Sequence, residues 1–392
     1  MPGIVVLSAT RTPLGSFQGA LSRVPAWSLG AAAIRGALQA ARVDLEGVSD
    51  AIMGSVLQAG QGQAPARRAA LAAGLPQSVR TVTVNKVCGS GMQAVMDASR
   101  LLAAGDGTLA VAGGMESMSL APYLLPKARE GYRLGHQQVV DSMIADGLWD
   151  PYGDVSMGEC AEVCAARYHF SREQQDAYAI ESFVRANAAQ KDGRFAAEIT
   201  PVDLPGTPGM TGGVALDEVP GKVVYDKVPH LKPSFRKDGT ITPANASAIA
   251  DGAAALVLAT PERAAAGGLA PIARLVSFAG HGQEPLWFTT APVQAARNAL
   301  ATAGWRPGDV DLWEVNEAFA VVPMAFAAEM SVPRERLNVR GGAISLGHPI
   351  GASGARILVT LIAAMRERGA RRGLAAVCIG GGEALAACVE LP

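Results

Sequence analysis

Asn85-Lys-Val-Cys-Gly-Ser-Gly91 returns 263 residues later as His348-Pro-Ile-Gly-Ala-Ser-Gly354. Each copy leads into a helical run, a short apolar strand and a glycine-rich end. These ends are LAVAGGME (Leu109 to Glu116) and LAAVCIGGGE (Leu374 to Glu383). Upstream, RGAL at Arg35 to Leu38 matches RNAL at Arg297 to Leu300 with an offset of 262. At that same offset, Ile52-Met53-Gly54 falls opposite Glu314-Val315-Asn316. A near-constant spacing over so long a stretch implies two structurally similar α/β halves. Their strands are short apolar runs such as IVVLSA and AAVCI, the pattern of strands buried on both faces, and predict mostly parallel sheets. Side by side, the halves would form a layered α-β-α-β-α body.

The halves are expected over residues 1–119, completed by about 246–270, and over residues 271–392. Between them, residues 120–245 read as an inserted loop domain. It is richer in Pro, Gly and charge, most visibly from Pro201 to Pro229, and it carries one amphipathic helix after the N-cap Ser171, with Gln174 three residues on.

Composition narrows the function classes. Of 392 residues, 49% are hydrophobic, 18% are charged, and the net charge is −1. A chain with no long basic run does not look like a nucleic-acid binder or a polybasic membrane protein. No apolar stretch reaches the roughly 18 residues of a membrane span, and the opening MPGIVVLSATRTP reads as strand and turn rather than a signal peptide. Five scattered cysteines, an odd number, suit a reducing compartment better than a disulfide framework. The expectation is a globular cytoplasmic protein.

Chemistry is suggested by what the repeat brings to matching turns. Cys88 follows the alternating strand RTVTV and precedes a helix, where a helix N-terminus would favour its thiolate. The second half carries His348 in its glycine turn, Asn316 at a strand end, and Cys378 before the glycine run. A thiol, an imidazole, an amide and a second thiol are the set that acyl transfer through a thioester needs. Each also has a plain structural reading: buried cysteine, surface histidine, helix N-cap asparagine, strand-core cysteine. Cys160 and Cys164 lie four apart on one helix face without partners for a zinc set, so they read as core. GSGMQA at Gly89 to Ala94 matches a loose dinucleotide fingerprint, but no acidic residue ends the next strand.

These residues resemble the thiolases, and within them the acetyl-CoA acetyltransferases. The resemblance spans essentially the whole chain: SATRTPLGSF, NKVCGSGMQAV, GGMESMS, ANASAIADGAAA, WEVNEAFA, GGAISLGHPIGASGAR and CIGGG. The segment KVVYDKVPHLKPSFRKDG and the Trp of WEVNEAF look closest to the mitochondrial-type acetoacetyl-CoA thiolases. The resemblance implies a five-layer αβαβα fold with a loop domain over the site. The implied activity is reversible condensation of two acetyl-CoA to acetoacetyl-CoA and coenzyme A, by a ping-pong route.

It also implies roles. Cys88 would be the acylated nucleophile and His348 its activator and an oxyanion donor. Cys378 would be the acid/base at Cα, and Asn316 would hold a water in the first oxyanion hole. The N–H groups of Cys88 and Gly380 would form the second. Leu148, Met157, Phe235, Ala246, Ser247, Ala318 and Phe319 would line the coenzyme path, with Lys222 meeting its phosphates. No metal is implied. Pro220 stands where relatives with a potassium site carry tyrosine, which makes a potassium requirement doubtful. Ser156 and Arg340 replace a histidine and an asparagine usual in the family, and Phe288-Thr289 replaces Phe-Pro. Relatives suggest a homotetramer, with Leu120 to Gln138 as a contact. Decarboxylating condensing enzymes on the same fold lack the second catalytic cysteine, so Cys378 separates the two readings; a non-catalytic acyl-CoA binder would have lost a catalytic residue.

Overall fold

The computed structural model describes residues 3–204 and 213–392, so part of the proline-rich Pro201 to Pro229 stretch lies outside the described residues. The first half runs β1 (Val5–Arg11), β2 (Gly15–Ser16), α1 (Ala26–Ala41), β3 (Asp50–Gly54), α2 (Pro65–Ala72), β4 (Arg80–Val84), α3 (Ser90–Ala103) and β5 (Leu109–Ser117). An excursion follows, with two small hairpins: β6 (Tyr123–Leu124) with β7 (Val140–Asp141), and β8 (Trp149–Asp150) with β9 (Val155–Ser156). Next come α4 (Met157–Tyr168) and α5 (Arg172–Lys191). The chain returns to the body as β10 (Ala250–Ala259) and α6 (Pro261–Ala266). The second half is β11 (Ala273–Gly282), α7 (Ala291–Ala303), β12 (Leu312–Val315), α8 (Val321–Met330), α9 (Ala343–Leu346), α10 (Ile350–Arg368), β13 (Arg372–Ile379) and β14 (Glu383–Glu390).

The repeat is a structural one. The first half-sheet has the order β1-β10-β5-β3-β4 and the second β11-β14-β13-β12. Thus β11 matches β1, β14 matches β10, β13 matches β5 and β12 matches β3. Where β4 pairs with β3, the second half has only a bridge between Trp313 and Leu337. The half-sheets are hydrogen bonded to each other where Val5 and Val6 meet Arg274 and Ala273. Between them lie α3 and α10, whose Met92, Val95, Met96, Ile357, Leu358 and Leu361 form one core with the inner faces of both sheets. Helices α1 and α2 cover the outer face of the first sheet, and α7 and α8 that of the second. Alternate residues of β5 divide accordingly: Ala110 and Ala112 face α3 and α10, while Leu109 and Val111 face α1. That period-2 division is what a strand covered on both faces requires.

The expectation of mostly parallel sheets does not hold. Only β3–β4, β3–β5 and β12–β13 pair in parallel; β1–β10, β5–β10, β11–β14 and β13–β14 are antiparallel. Helices on both faces make a strand apolar throughout, whatever the direction of its neighbour. Hydrophobic runs therefore reported coverage and not polarity.

Two features fix how closely the halves meet. A Cβ on Gly114 of β5 would stand 2.1 Å from the carbonyl oxygen of Gly351, so that approach of α10 to the strand admits only glycine. Beside it, the buried carboxylate of Glu116 accepts the N–H groups of Val56 (2.9 Å), Leu57 (3.2 Å) and Gly351 (2.9 Å), tying first-half loops to the N-terminus of α10. The excursion is pinned separately. Arg11, fully buried in β1, donates to Glu198 at 2.6 Å and forms a two-pronged pair with Asp217 at 2.7 and 2.8 Å. Helix α5 starts where expected: Ser171 Oγ accepts the N–H of Gln174, whose side chain accepts that of Ser171.

Candidate active site

Cys88 sits in the turn between β4 and α3, two residues before the helix begins. That turn is strained and clasped. Val87 has φ +45°, an uncommon conformation for a β-branched residue and one that costs about 1–3 kcal/mol. Asn85 Oδ1 accepts the N–H of Val87 at 3.0 Å. Ser90 Oγ accepts the N–H of Lys86 at 2.8 Å and donates to the carbonyl of Val87 at 2.6 Å. Lys86 reaches across to Glu383 of the second half at 2.7 Å. The result presents the Cys88 sulfur, partly exposed, toward that half; the other four cysteines are buried free thiols.

His348 meets it from the far side. Its Nε2 stands 3.3 Å from Cys88 Sγ, and its Nδ1 lies 2.6 Å from Ser353 Oγ. The backbone holds it through His348 N–H to the carbonyl of Ala248 at 2.8 Å. Cys378 lies one residue before the end of β13, 1% exposed, with the Ala318 N–H directed at its sulfur and Cys88 near enough to act on it electrostatically. The hairpin between β13 and β14 turns through Gly381 and Gly382, at φ +89° and +84°, where only glycine is unstrained. That turn aims the Gly380 N–H at the Cys88 sulfur, alongside Cys88's own N–H.

Asn316 follows β12 and is hydrogen bonded through its N–H to the carbonyl of Ala376. It is fully buried, and neither its side-chain oxygen nor its nitrogen has a partner among the described residues. A buried amide left unpaired at both ends costs about 1–3 kcal/mol per group, a cost that a water or substrate oxygen removes.

Burial dominates the electrostatics. It pushes the Cys88 thiol up to about 12, against the two N–H groups that favour its anion. Burial, and then Arg356, push His348 down to about 3. Cys378 is raised well above the ordinary thiol value, by burial first and by Cys88 second. The expectation of a thiolate favoured by the helix N-terminus is therefore corrected: desolvation outweighs the N–H donors, and the resting pair is a neutral thiol and a neutral imidazole.

A cavity of about 160 Å³ opens onto His348. Of the coenzyme-path residues expected from the sequence, Leu148, Met157, Phe235, Ala246, Ser247 and Phe319 all line it. Phe235 and Phe288 each set a ring edge-on to Phe319, with centroids 6.1 and 6.5 Å apart. Ala318 stands just behind, its carbonyl accepting the N–H of Ser247 at 2.9 Å.

Lys222 is placed differently. It lies on a neighbouring cleft of about 300 Å³ that shares Ala248 with the first, and its ammonium is engaged by Glu218 and Ser16, both at 2.6 Å. Lys227, on the same cleft, forms no ion pair among the described residues, and sequence reasoning missed it because nothing in its spacing marks it. Ser353 was missed as well, although the repeat contains the signal. Of the departures, Ser156 caps α4 by accepting the N–H of Glu159. Arg340 is buried between Glu198 and Glu367, on the wall of a separate cleft of about 610 Å³ that contains none of the thiols.

With this geometry in view, the comparisons decide the family. Residues 4–262 match the thiolase N-terminal domain and residues 269–391 the thiolase C-terminal domain. The chain belongs to the thiolase family. This thiolase is 49% identical to acetyl-CoA acetyltransferase 2 of Arabidopsis thaliana, over 99% of this chain and 97% of that protein. It is also 49% identical to the acetyl-CoA acetyltransferase of Cupriavidus necator, over the full length of both. Among solved structures, the Acat5 thiolase from Ascaris suum in complex with coenzyme A superposes with a TM-score of 0.95 at 43% identity, covering 100% of each chain. The Bacillus anthracis acetyl-CoA acetyltransferase gives 0.97 at 38%, covering 100% of this chain and 99% of that one. The five-layer αβαβα architecture is that of these relatives.

Proposed function

We propose that this thiolase is an acetyl-CoA C-acetyltransferase, condensing two acetyl-CoA to acetoacetyl-CoA and coenzyme A or running the thiolytic reverse. The observation that carries this reading is His348 Nε2 3.3 Å from Cys88 Sγ, with a second thiol from the other half, Cys378, near enough to Cys88 to act on it electrostatically. A decarboxylating enzyme on this fold would need no second thiol.

The protons balance within the set. Cys88 sulfur attacks the thioester carbonyl as its proton passes to His348 Nε2, and the N–H groups of Cys88 and Gly380 hold the oxyanion. Coenzyme A leaves with the proton of Cys378. The Cys378 thiolate then takes a proton from Cα of the second acetyl-CoA. The enolate oxygen is held by protonated His348 and by a water on Asn316. Attack of this carbon on acetyl-Cys88 forms the new C–C bond and expels the Cys88 sulfur, which recovers its proton from His348. Thiol, imidazole and thioester suffice, so the chemistry calls on no metal or other cofactor, and no potassium ion is assigned a part in it. The carbonyl of Pro220 accepts from Asn187 at 2.9 Å.

The apolar cavity fits a pantetheine arm, with the excursion over residues 120–245 as its cover. The neighbouring cleft, lined by both Lys222 and Lys227, fits the phosphates. Homologues named acetyl-CoA acetyltransferase and a related thiolase in complex with coenzyme A support acetyl-CoA, acetoacetyl-CoA and coenzyme A as ligands. Among the described residues no helix is long and apolar enough to cross a membrane, and five unbonded thiols suit a reducing compartment such as the cytoplasm. Purified protein should consume acetoacetyl-CoA on addition of coenzyme A, followed by the fall in acetoacetyl-CoA absorbance, and Cys88→Ala should abolish it. A wild type without thiolysis, or an active Cys88→Ala, ends this reading.

A further inference from the structure

The repeat that places Cys88 opposite His348 also pairs two serines, and the two are used differently. Ser90 and Ser353 occupy the same position of the repeated segment, and both are fully buried. In the first half, Ser90 Oγ donates to the Val87 carbonyl and accepts from the N–H of Lys86, four residues back. In the second half, Ser353 Oγ donates to the Pro349 carbonyl at 2.9 Å, the usual bond of a helical serine to the residue four back. The counterpart of Lys86 is now Pro349, which has no N–H to offer. The acceptor side of Ser353 is therefore released from the backbone, and the ring nitrogen that takes it is His348 Nδ1, at 2.6 Å.

When the serine proton goes to Pro349, Ser353 accepts from His348 and Nδ1 carries the ring proton, an arrangement that uses each polar atom of the cluster. Nε2 is then left with its lone pair, facing Cys88 Sγ at 3.3 Å. The opposite tautomer would draw the serine hydroxyl from Pro349 to Nδ1 and turn an N–H toward Cys88 Sγ, leaving the ring no lone pair for the thiol proton. Only the Nδ1–H tautomer lets the ring act as a base toward Cys88. We propose that Ser353, freed by Pro349, is a positioning residue that holds His348 in its Nδ1–H tautomer, so that Nε2 accepts the Cys88 proton. The inference rests on the acyl-transfer reading of Cys88 and His348 and adds to it the group that selects the protonation state of the base.

The test begins with wild-type full-length protein carrying nitrogen-15 histidine. With only five histidines, His348 can be assigned by loss of its signal in His348→Asn. At neutral pH its spectrum should be that of the Nδ1–H tautomer; an Nε2–H tautomer overturns the proposal, and this measurement does not depend on turnover or on any other variant. Ser353→Ala should then give mixed tautomers. Its kcat and the rate of Cys88 alkylation by iodoacetamide, located by mass spectrometry, should both fall about tenfold to a hundredfold, the size of loss seen when a metal-bound imidazole loses the partner of its far nitrogen. KM should stay within about twofold. A folded Ser353→Ala that keeps either the Nδ1–H tautomer or the wild-type alkylation rate overturns the proposal. An active Cys88→Ala would remove the acyl-transfer reading instead, leaving the tautomer result standing on its own.

Discussion

At the scale of single residues, the site is neutral before substrate arrives. A pH near 7 lies well below the Cys88 value of about 12 and well above the His348 value of about 3, so neither group titrates between about pH 5 and pH 9. Proton transfer must then accompany attack on the thioester, when the N–H groups of Cys88 and Gly380 receive the developing charge. Cys378 has a separate task, and its loss should divide the half-reactions. The coenzyme thiolate is a fair leaving group without a donated proton, whereas enolate formation has no substitute base. In Cys378→Ser, acetylation of Cys88 should therefore fall by no more than about tenfold, and condensation by a hundredfold or more. Mass spectrometry of the acetyl-enzyme and an acetoacetyl-CoA assay read the two steps; equal loss in both would remove the assignment. Cys88 and its chemistry were legible from residue type and turn context. Its protonation state was not, because the helix terminus is a local feature and desolvation is the work of the whole surrounding fold.

At the scale of elements, the meeting of β5 and α10 carries the site. Glu116 accepts three N–H groups through both carboxylate oxygens, and burial raises it to about 7 despite them. A raised folded-state value means that protonation favours the folded form. This contribution to stability is full below about pH 4.5 and is lost as pH rises through about 7. Glu116→Gln keeps the shape but offers a single acceptor oxygen and turns an NH2 toward one of the donors. It should cost about 1–3 kcal/mol, read as a lower thermal midpoint at pH 5, where the native side chain is protonated and stabilising. An unchanged midpoint would mean that the three N–H groups find other partners. The glycines of GGME looked from sequence like a strand end; they are strand interior, because the close approach of α10 requires them there.

At the scale of the whole molecule, two exposed features suggest association. Strand β4 is a sheet edge on which Val82 is 53% exposed. The excursion presents Tyr123, Leu125, Val139 and, at 95% exposure, Leu134. Isolated apolar residues are ordinary, but several on one segment fit a surface that another copy would cover. We propose a homotetramer built through both. Leu134→Asp should shift the sizing profile from tetramer toward dimer with thiolysis largely kept; a monomeric wild type sinks the idea.

The chain by itself determined the two-half architecture and the facing turns of Cys88 and His348, and its resemblance to the thiolases pointed to most of the cavity lining. Repeated residues at constant spacing imply repeated backbone geometry, and functional turns at equivalent positions follow from it. Only the tertiary structure decided strand direction, the engagement of Lys222 by Glu218 and the neutral resting state of the thiol–imidazole pair. Each of these depends on which atoms crowd a group from distant parts of the chain, and on the hydrogen bonds left over once the backbone has made its own.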